Sequence, residues 1–225
     1  MKSEKFNLIF FLLTIVHLFA IEAEFGWLEV STKPLLVAAL MYWFYINTAL
    51  KNRFAQKVFA ALIWSWMGDV LLMMVPINAN FFLFGLGAFL IAQLAYASAF
   101  YEDARLKGDR PVWLMPFAIA FFTTYCMLLF GYMAPKLGGL KIPVLLYAIV
   151  ISIMAIMAWT RYGTAKGRSY WLVALGAGLF VISDSVLAIN KFSNPIPNAG
   201  IIIMLTYILA QYGITMGAIA RIRDR

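Results

Sequence analysis

The chain has one cysteine, one histidine and ten acidic residues among 225. Cys126 has no partner for an internal disulfide, so this is not a disulfide scaffold. One histidine and one cysteine are too little material for a zinc, haem or iron–sulfur site, and no metal or cofactor is expected. Charged residues make up 12% of the chain, where a soluble domain carries roughly 25%. There is no Gly-x-Ser-x-Gly nucleophile elbow and no Gly-x-x-x-x-Gly-Lys-Ser/Thr phosphate loop. No loop is long enough to fold separately, so residues 1–225 read as one transmembrane domain.

Hydrophobic residues are abundant instead. At 64% they amount to about 144 residues, and at about 20 per helical span that suffices for about seven or eight crossings. A soluble enzyme and a nucleic-acid module are excluded. Eight apolar stretches can be cut from the chain, at residues 6–22, 33–50, 57–75, 80–101, 112–133, 141–160, 170–190 and 198–220. Long alternating strands are absent, and a backbone in lipid must satisfy its own hydrogen bonds. The expected fold is all-α: a polytopic membrane helix bundle of eight transmembrane helices.

The net charge of +8 is explained by topology. Lys2, Lys5, Lys51, Arg53, Lys57, Arg105, Lys107, Arg110, Arg161, Lys166, Arg168, Arg221, Arg223 and Arg225 fall on one side; Lys33, Lys136, Lys141 and Lys191 fall on the other. The positive-inside rule makes the first side cytoplasmic, with both termini there, as expected in a bacterial inner membrane. Membrane lipids are then natural contacts of the basic side, and no nucleic-acid partner is expected. Lys2 and Lys5 ahead of an apolar run resemble a secretion signal, but Glu22 and Glu24 interrupt any small-x-small site, so an uncleaved first helix is expected.

Eight of the ten acids sit in loops, tails or span ends: Glu4, Glu22, Glu24, Glu29, Glu102, Asp103, Asp109 and Asp224. Asp69 and Asp184 lie inside spans, each six residues before the far end of its stretch. An aspartate at the centre of a span costs about 2.5–3.5 kcal/mol on insertion scales, so each should face the bundle interior or a cavity. If their helices are neighbours, two carboxylates in one poorly hydrated pocket would not both ionise, and an acid and a base would stand side by side. Each could also serve only to hydrogen-bond a neighbouring helix, or to relay protons in a transporter.

The surroundings of the two aspartates correspond. Lys33-Pro34, Gly68-Asp69 and Ala92-Gln93 are matched in order by Lys141-Ile142-Pro143, Ser183-Asp184 and Ala210-Gln211. This suggests a parallel duplication of four helices plus four. Gly85, Gly87 and Ala88, with Gly176, Ala177 and Gly178, are expected to allow close helix packing. Trp27, Trp43, Trp113, Trp159 and Trp171 read as an interfacial belt, with Trp64 and Trp66 deeper; His17 reads as a structural hydrogen-bonding residue.

Over nearly its whole length the chain resembles the lysoplasmalogenase, or YhhN-like, family of membrane proteins. The resemblance is carried by KPLLVAAL (33–40), SWMGDVLLM (65–73), FLFGLGAFLIAQLAYASAF (82–100), GAGLFVISDSVLAINKF (176–192) and YILAQYGITMG (207–217). It implies hydrolysis of the vinyl ether bond of lysoplasmalogens to a fatty aldehyde and a glycerophospho head group. Family members often carry histidine before the tyrosine of the fourth span; here Gln93 stands at that position and Tyr96 is retained. Glutamine can orient a water or a head group but cannot shuttle protons at neutral pH.

The chemistry of the residues fits that reaction. A protonated aspartate would protonate the vinyl ether carbon, and the ionised one would stabilise the oxocarbenium ion and accept a proton from water. Asp69 and Asp184 are the catalytic candidates. Lys33, Gln93, Tyr96, Ser183, Asn190, Tyr207 and Gln211 are the candidates for binding a lysophospholipid, with Lys141, Lys191, Tyr42 and Ser185 secondary. A proton-coupled transporter of small solutes or lipids is the alternative that uses the same aspartates. Nothing in the sequence specifies an oligomeric state.

Overall fold

The computed structural model describes residues 3–106, 111–165 and 167–224; Lys2, Lys107, Asp109, Arg110, Lys166 and Arg225 lie outside them. The described residues form eight α-helices: α1 (Ser3–Glu22), α2 (Gly26–Thr48), α3 (Arg53–Met73), α4 (Phe81–Ala104), α5 (Leu114–Met133), α6 (Lys141–Trp159), α7 (Gly167–Phe192) and α8 (Ala199–Arg223). Two short 3-10 turns, Ala134–Lys136 and Gly138–Leu140, join α5 to α6. Short connections between helices packed side by side make them alternate in direction. The start of α1, the end of α2 and the end of α8 therefore share one end of the bundle, here termed the terminal end. Arg223 of α8 donates to Asn47 of α2 there.

Six of these helices are long and apolar enough by composition to cross a membrane: α1, α4, α5, α6, α7 and α8. The remaining two carry more charge, with Glu29 and Lys33 in α2 and Arg53, Lys57 and Asp69 in α3. The outer surface is oily, as lipid contact requires: Met127 and Leu128 of α5 are 68% and 70% exposed. The architecture is an all-helical membrane bundle.

Local chemistry explains where the helices start and stop. Asn52 caps α3 by accepting from the Ala55 N–H at 2.8 Å. Helix α2 starts at Gly26, ahead of the expected 33, because Pro34 removes one N–H without stopping the helix; its carbonyl accepts from the Trp66 indole at 3.1 Å. The end of α3 at Met73 and of α7 at Phe192 leaves Asp69 four residues and Asp184 eight residues from the helix end, not six each. Trp43 is 4% exposed and stacks on Phe6 at 4.4 Å, so it is a core residue and not part of an interfacial belt.

The closest helix contacts are α7 with α8 and α3 with α4. A Cβ at Gly176 would lie 2.9 Å from the Ala210 carbonyl oxygen, and one at Gly213 would lie 2.9 Å from that of Leu172. The two backbones thus touch, and the Ser169 hydroxyl donates across them to the Gly217 carbonyl at 2.9 Å. Gly68 lies under the Phe89 ring, and Gly85 against Leu72. Gly87 and Gly178 face open space and take no part in this packing.

At the terminal end, Asp103 of α4 is fully buried between two arginines. Arg161 Nε and Arg221 Nε each donate to one of its carboxylate oxygens at 2.8 Å. Arg161 is itself fully buried, and its guanidinium lies 5.5 Å from the Phe100 ring centroid. The clasp ties α4 to α8 and to the α6–α7 connection. Sequence position alone marks Asp103 only as a span-end charge.

Two stability measurements in detergent follow. Gly176→Ala should lower stability by about 1–3 kcal/mol through overpacking, whereas Gly178→Ala, two residues away in open space, should leave the melting temperature unchanged or slightly raised. Asp103→Asn leaves buried arginine charge without its counter-ion and should cost about 3–5 kcal/mol, read as a fall in melting temperature.

Candidate active site

Asp69 projects from α3 into the bundle and is 3% exposed. The Tyr207 hydroxyl of α8 donates to its Oδ2 at 2.7 Å. Behind Tyr207 stands Gln211, one turn on, whose Nε2 reaches the Tyr207 oxygen at 3.4 Å. The Tyr96 hydroxyl of α4 donates to Gln211 Oε1 at 2.7 Å. Four side chains from three helices therefore form one directed chain, Tyr96 to Gln211 to Tyr207 to Asp69. Its members are buried, and in low dielectric such chains reinforce one another.

Asp184 of α7 is held by a second tyrosine. The Tyr147 hydroxyl of α6 donates to its Oδ2. Gln93 of α4, fully buried, faces the Tyr147 hydroxyl. Leu72, one turn beyond Asp69 on α3, lines a common cleft with Asp184, so the two carboxylates lie in one region of the bundle. Lys33 of α2 is within electrostatic reach of Asp69, without an ion pair between them among the described residues.

A narrow apolar cleft opens onto this region. Leu72, Leu86 and Phe89 line one side, Val144 and Leu187 the other, and Asp184 and Tyr147 supply its polar atoms. A second apolar cleft, between α5, α6 and α7, shares Asp184 and Tyr147 as its wall. Here Tyr125 donates to Ser185 at 2.9 Å. The arrangement can hold an apolar chain against Asp184, whose carboxylate has a fixed donor, with Lys191 beside the cleft.

The remaining candidates are placed as follows. Ser183 gives its hydroxyl to the Ile203 carbonyl at 2.9 Å, joining α7 to α8. Asn190 accepts from the Ile196 N–H at 2.9 Å and shapes the α7–α8 connection. Lys191 lies over the Phe82 ring at 5.3 Å, beside the cleft. Lys141 and Tyr42 are exposed. His17 shares a 2.8 Å hydrogen bond with Thr32 and links α1 to α2. Tyr147 escapes the sequence reading. Its signal is that, in an otherwise aliphatic α6, it is one of few polar side chains after Lys141.

Fold and site together define a polytopic membrane bundle with one buried carboxylate, Asp69, and one part-buried carboxylate, Asp184, in the wall of an apolar cleft. The chain belongs to the YhhN family, which it matches over residues 28–218. It is similar to lysoplasmalogenase TMEM86B of Homo sapiens, 30% identical over 198 residues, covering 88% of this chain and 78% of the relative. It is 27% identical over 233 residues to lysoplasmalogenase TMEM86A of Bos taurus, covering 97% of this chain and 90% of that one. The lysoplasmalogenase of Mycobacterium tuberculosis is 32% identical over 162 residues, covering 70% of this chain and 58% of the relative. No solved structure matches the chain significantly.

If Tyr96, Gln211, Tyr207 and Asp69 act as a unit, Tyr96→Phe and Tyr207→Phe should not be additive. A double-mutant cycle on melting in detergent should give a coupling of about 0.5–3 kcal/mol, where unconnected hydroxyls would give none.

Proposed function

We propose that the protein is a membrane ether-bond hydrolase that cleaves the vinyl ether bond of lysoplasmalogens. The observation that carries this reading is Asp184, held by the Tyr147 hydroxyl in the wall of an apolar cleft, with Asp69 and its Tyr207 donor one turn from Leu72 of the same wall. Family membership and relatives named lysoplasmalogenase support the same substrate class.

The substrate, a single-chain lysophospholipid, lies with its alkenyl chain in the cleft and its head toward the end of the bundle where α3 and α7 finish. Lys33 offers a cation there for the phosphate. One aspartate, protonated, gives its proton to the carbon beta to the ether oxygen, and the π electrons form that C–H bond. The resulting oxocarbenium ion is stabilised by the ionised aspartate. Water adds to the cationic carbon and passes a proton to that carboxylate. The hemiacetal then collapses: its hydroxyl proton leaves, the bond to the glycerol oxygen breaks, and that oxygen is protonated. The tyrosines fix where each carboxylate points throughout.

All eight helices cross the membrane in this reading, with the terminal end in the cytoplasm, which is where most lysines and arginines fall. The four-plus-four duplication is supported by the two most intimate helix pairs, α3–α4 and α7–α8. Each carries an aspartate on its first member and a glutamine on its second.

Purified protein in detergent, given an alkenyl lysophospholipid, should release fatty aldehyde. Asp69→Asn and Asp184→Asn should each lower kcat by about 10²–10⁴-fold, the usual contribution of a positioned acid or base, while eluting as folded protein. Full activity in both variants would remove the carboxylate mechanism.

A further inference from the structure

We propose that Gln93 builds a binding site for one water molecule at the closed end of the cleft, and that this water is the nucleophile of the hydrolysis. The inference rests on the functional reading above and adds the residue that places the water.

The two halves of the site repeat one order of groups: glutamine, tyrosine, aspartate. In one, Gln211 reaches Tyr207, which donates to Asp69. In the other, Gln93 faces Tyr147, which donates to Asp184. They differ at the glutamine oxygen. Gln211 Oε1 accepts from the Tyr96 hydroxyl at 2.7 Å. Gln93 Oε1 has no hydrogen-bond partner among the described residues, while the amide of Gln93 is set toward the Tyr147 hydroxyl.

Gln93 is fully buried. A buried amide oxygen without a donor is destabilising, and an apolar side chain of similar shape would relieve the bundle of that cost. Such a group in a folded protein calls for an explanation by what binds to it. The group that satisfies Gln211 is a hydroxyl donor, and the corresponding donor at Gln93 is a water hydroxyl.

The position suits the chemistry. Phe89, one turn before Gln93 on α4, lines the cleft, and so does Tyr147, which Gln93 faces. A water there gives one hydrogen to Gln93 Oε1 and the other to the ionised carboxylate. Both oxygen lone pairs remain, and one of them attacks the oxocarbenium carbon. As the C–O bond forms, the O–H bond to the carboxylate side breaks and its proton moves to that oxygen. No further reactant is needed.

The test uses the whole chain in detergent with Gln93→Leu and Gln93→Met, assayed on an alkenyl lysophospholipid with and without added methanol. Both variants should lower kcat about 10²-fold with KM within about twofold, the pattern of lost positioning in the transition state. Their melting temperatures should stay level, because an apolar side chain of similar size removes the buried amide and its water together. In methanol the wild type should still give aldehyde. The variants should divert part of the substrate to the mixed acetal, in which methanol has added to the cation and lost a proton. Unchanged kcat in both folded variants would overturn the assignment. A fall in kcat that only tracks a fall in melting temperature would also overturn it, making Gln93 a structural brace. Wild type that releases no aldehyde would instead overturn the functional reading, and the nucleophile with it.

Discussion

A carboxylate carried into hydrocarbon must find a hydrogen-bond donor, and much of this bundle is arranged around that need. Tyrosine answers it with a ring that packs like an apolar side chain and a hydroxyl that donates. Tyr207 meets Asp69, and Tyr147 meets Asp184. Each pair dictates which helices stand together: α3 with α8, and α6 with α7. The Phe89, Phe180 and Tyr207 rings fill the space around the first pair, edge to face. The polar centre is thus enclosed in a tightly fitted aromatic core, and its geometry follows from packing as much as from hydrogen bonding.

The substrate class suits such a centre. An amphiphile with one apolar chain needs an oily cleft that ends in charge, and the wall shared by Asp184 and Tyr147 has that form. Vinyl ether cleavage passes through a cation, which an ionised carboxylate in low dielectric stabilises more strongly than the same group would in water. In the proposed mechanism the fixed tyrosine donors would keep the carboxylates from reorienting as charge develops. Lys33 stands close enough to Asp69 to be felt, yet is not spent in an ion pair with it, which leaves its ammonium available to an anionic head.

Much of the architecture was legible in the sequence because lipid imposes a simple rule: apolar stretches of span length become helices. The eight helices follow the eight stretches, and Asp69 stood out through its cost in such a setting. Its partners Tyr207 and Gln211 were marked as polar residues in an apolar helix. Tyr147 was not, because a tyrosine amid aliphatic residues reads as packing until its neighbour is known. Nor was the clasp on Asp103. Its arginines are 58 and 118 residues further along the chain, and no local pattern announces contacts at that separation. Gly176 and Gly178 look alike in sequence, yet only the first meets a backbone, because two residues on a helix point to opposite sides.

The position of α8 in these contacts bears on how the chain is made. Asp69 waits for a hydroxyl 138 residues downstream, and Asp103 for Arg221, 118 residues downstream. At the usual pace of about 5–20 residues per second, that is a delay of roughly six seconds at the shortest before the ribosome has even added Arg221. Through that interval Asp69 must be tolerated at the translocon or kept protonated or hydrated within the nascent bundle, while Asp103 has Arg161 alone. Assembly of the polar centre is therefore completed by the last helix, and nascent chains halted before α8 would leave Asp69 without its donor and Asp103 with one of its two arginines.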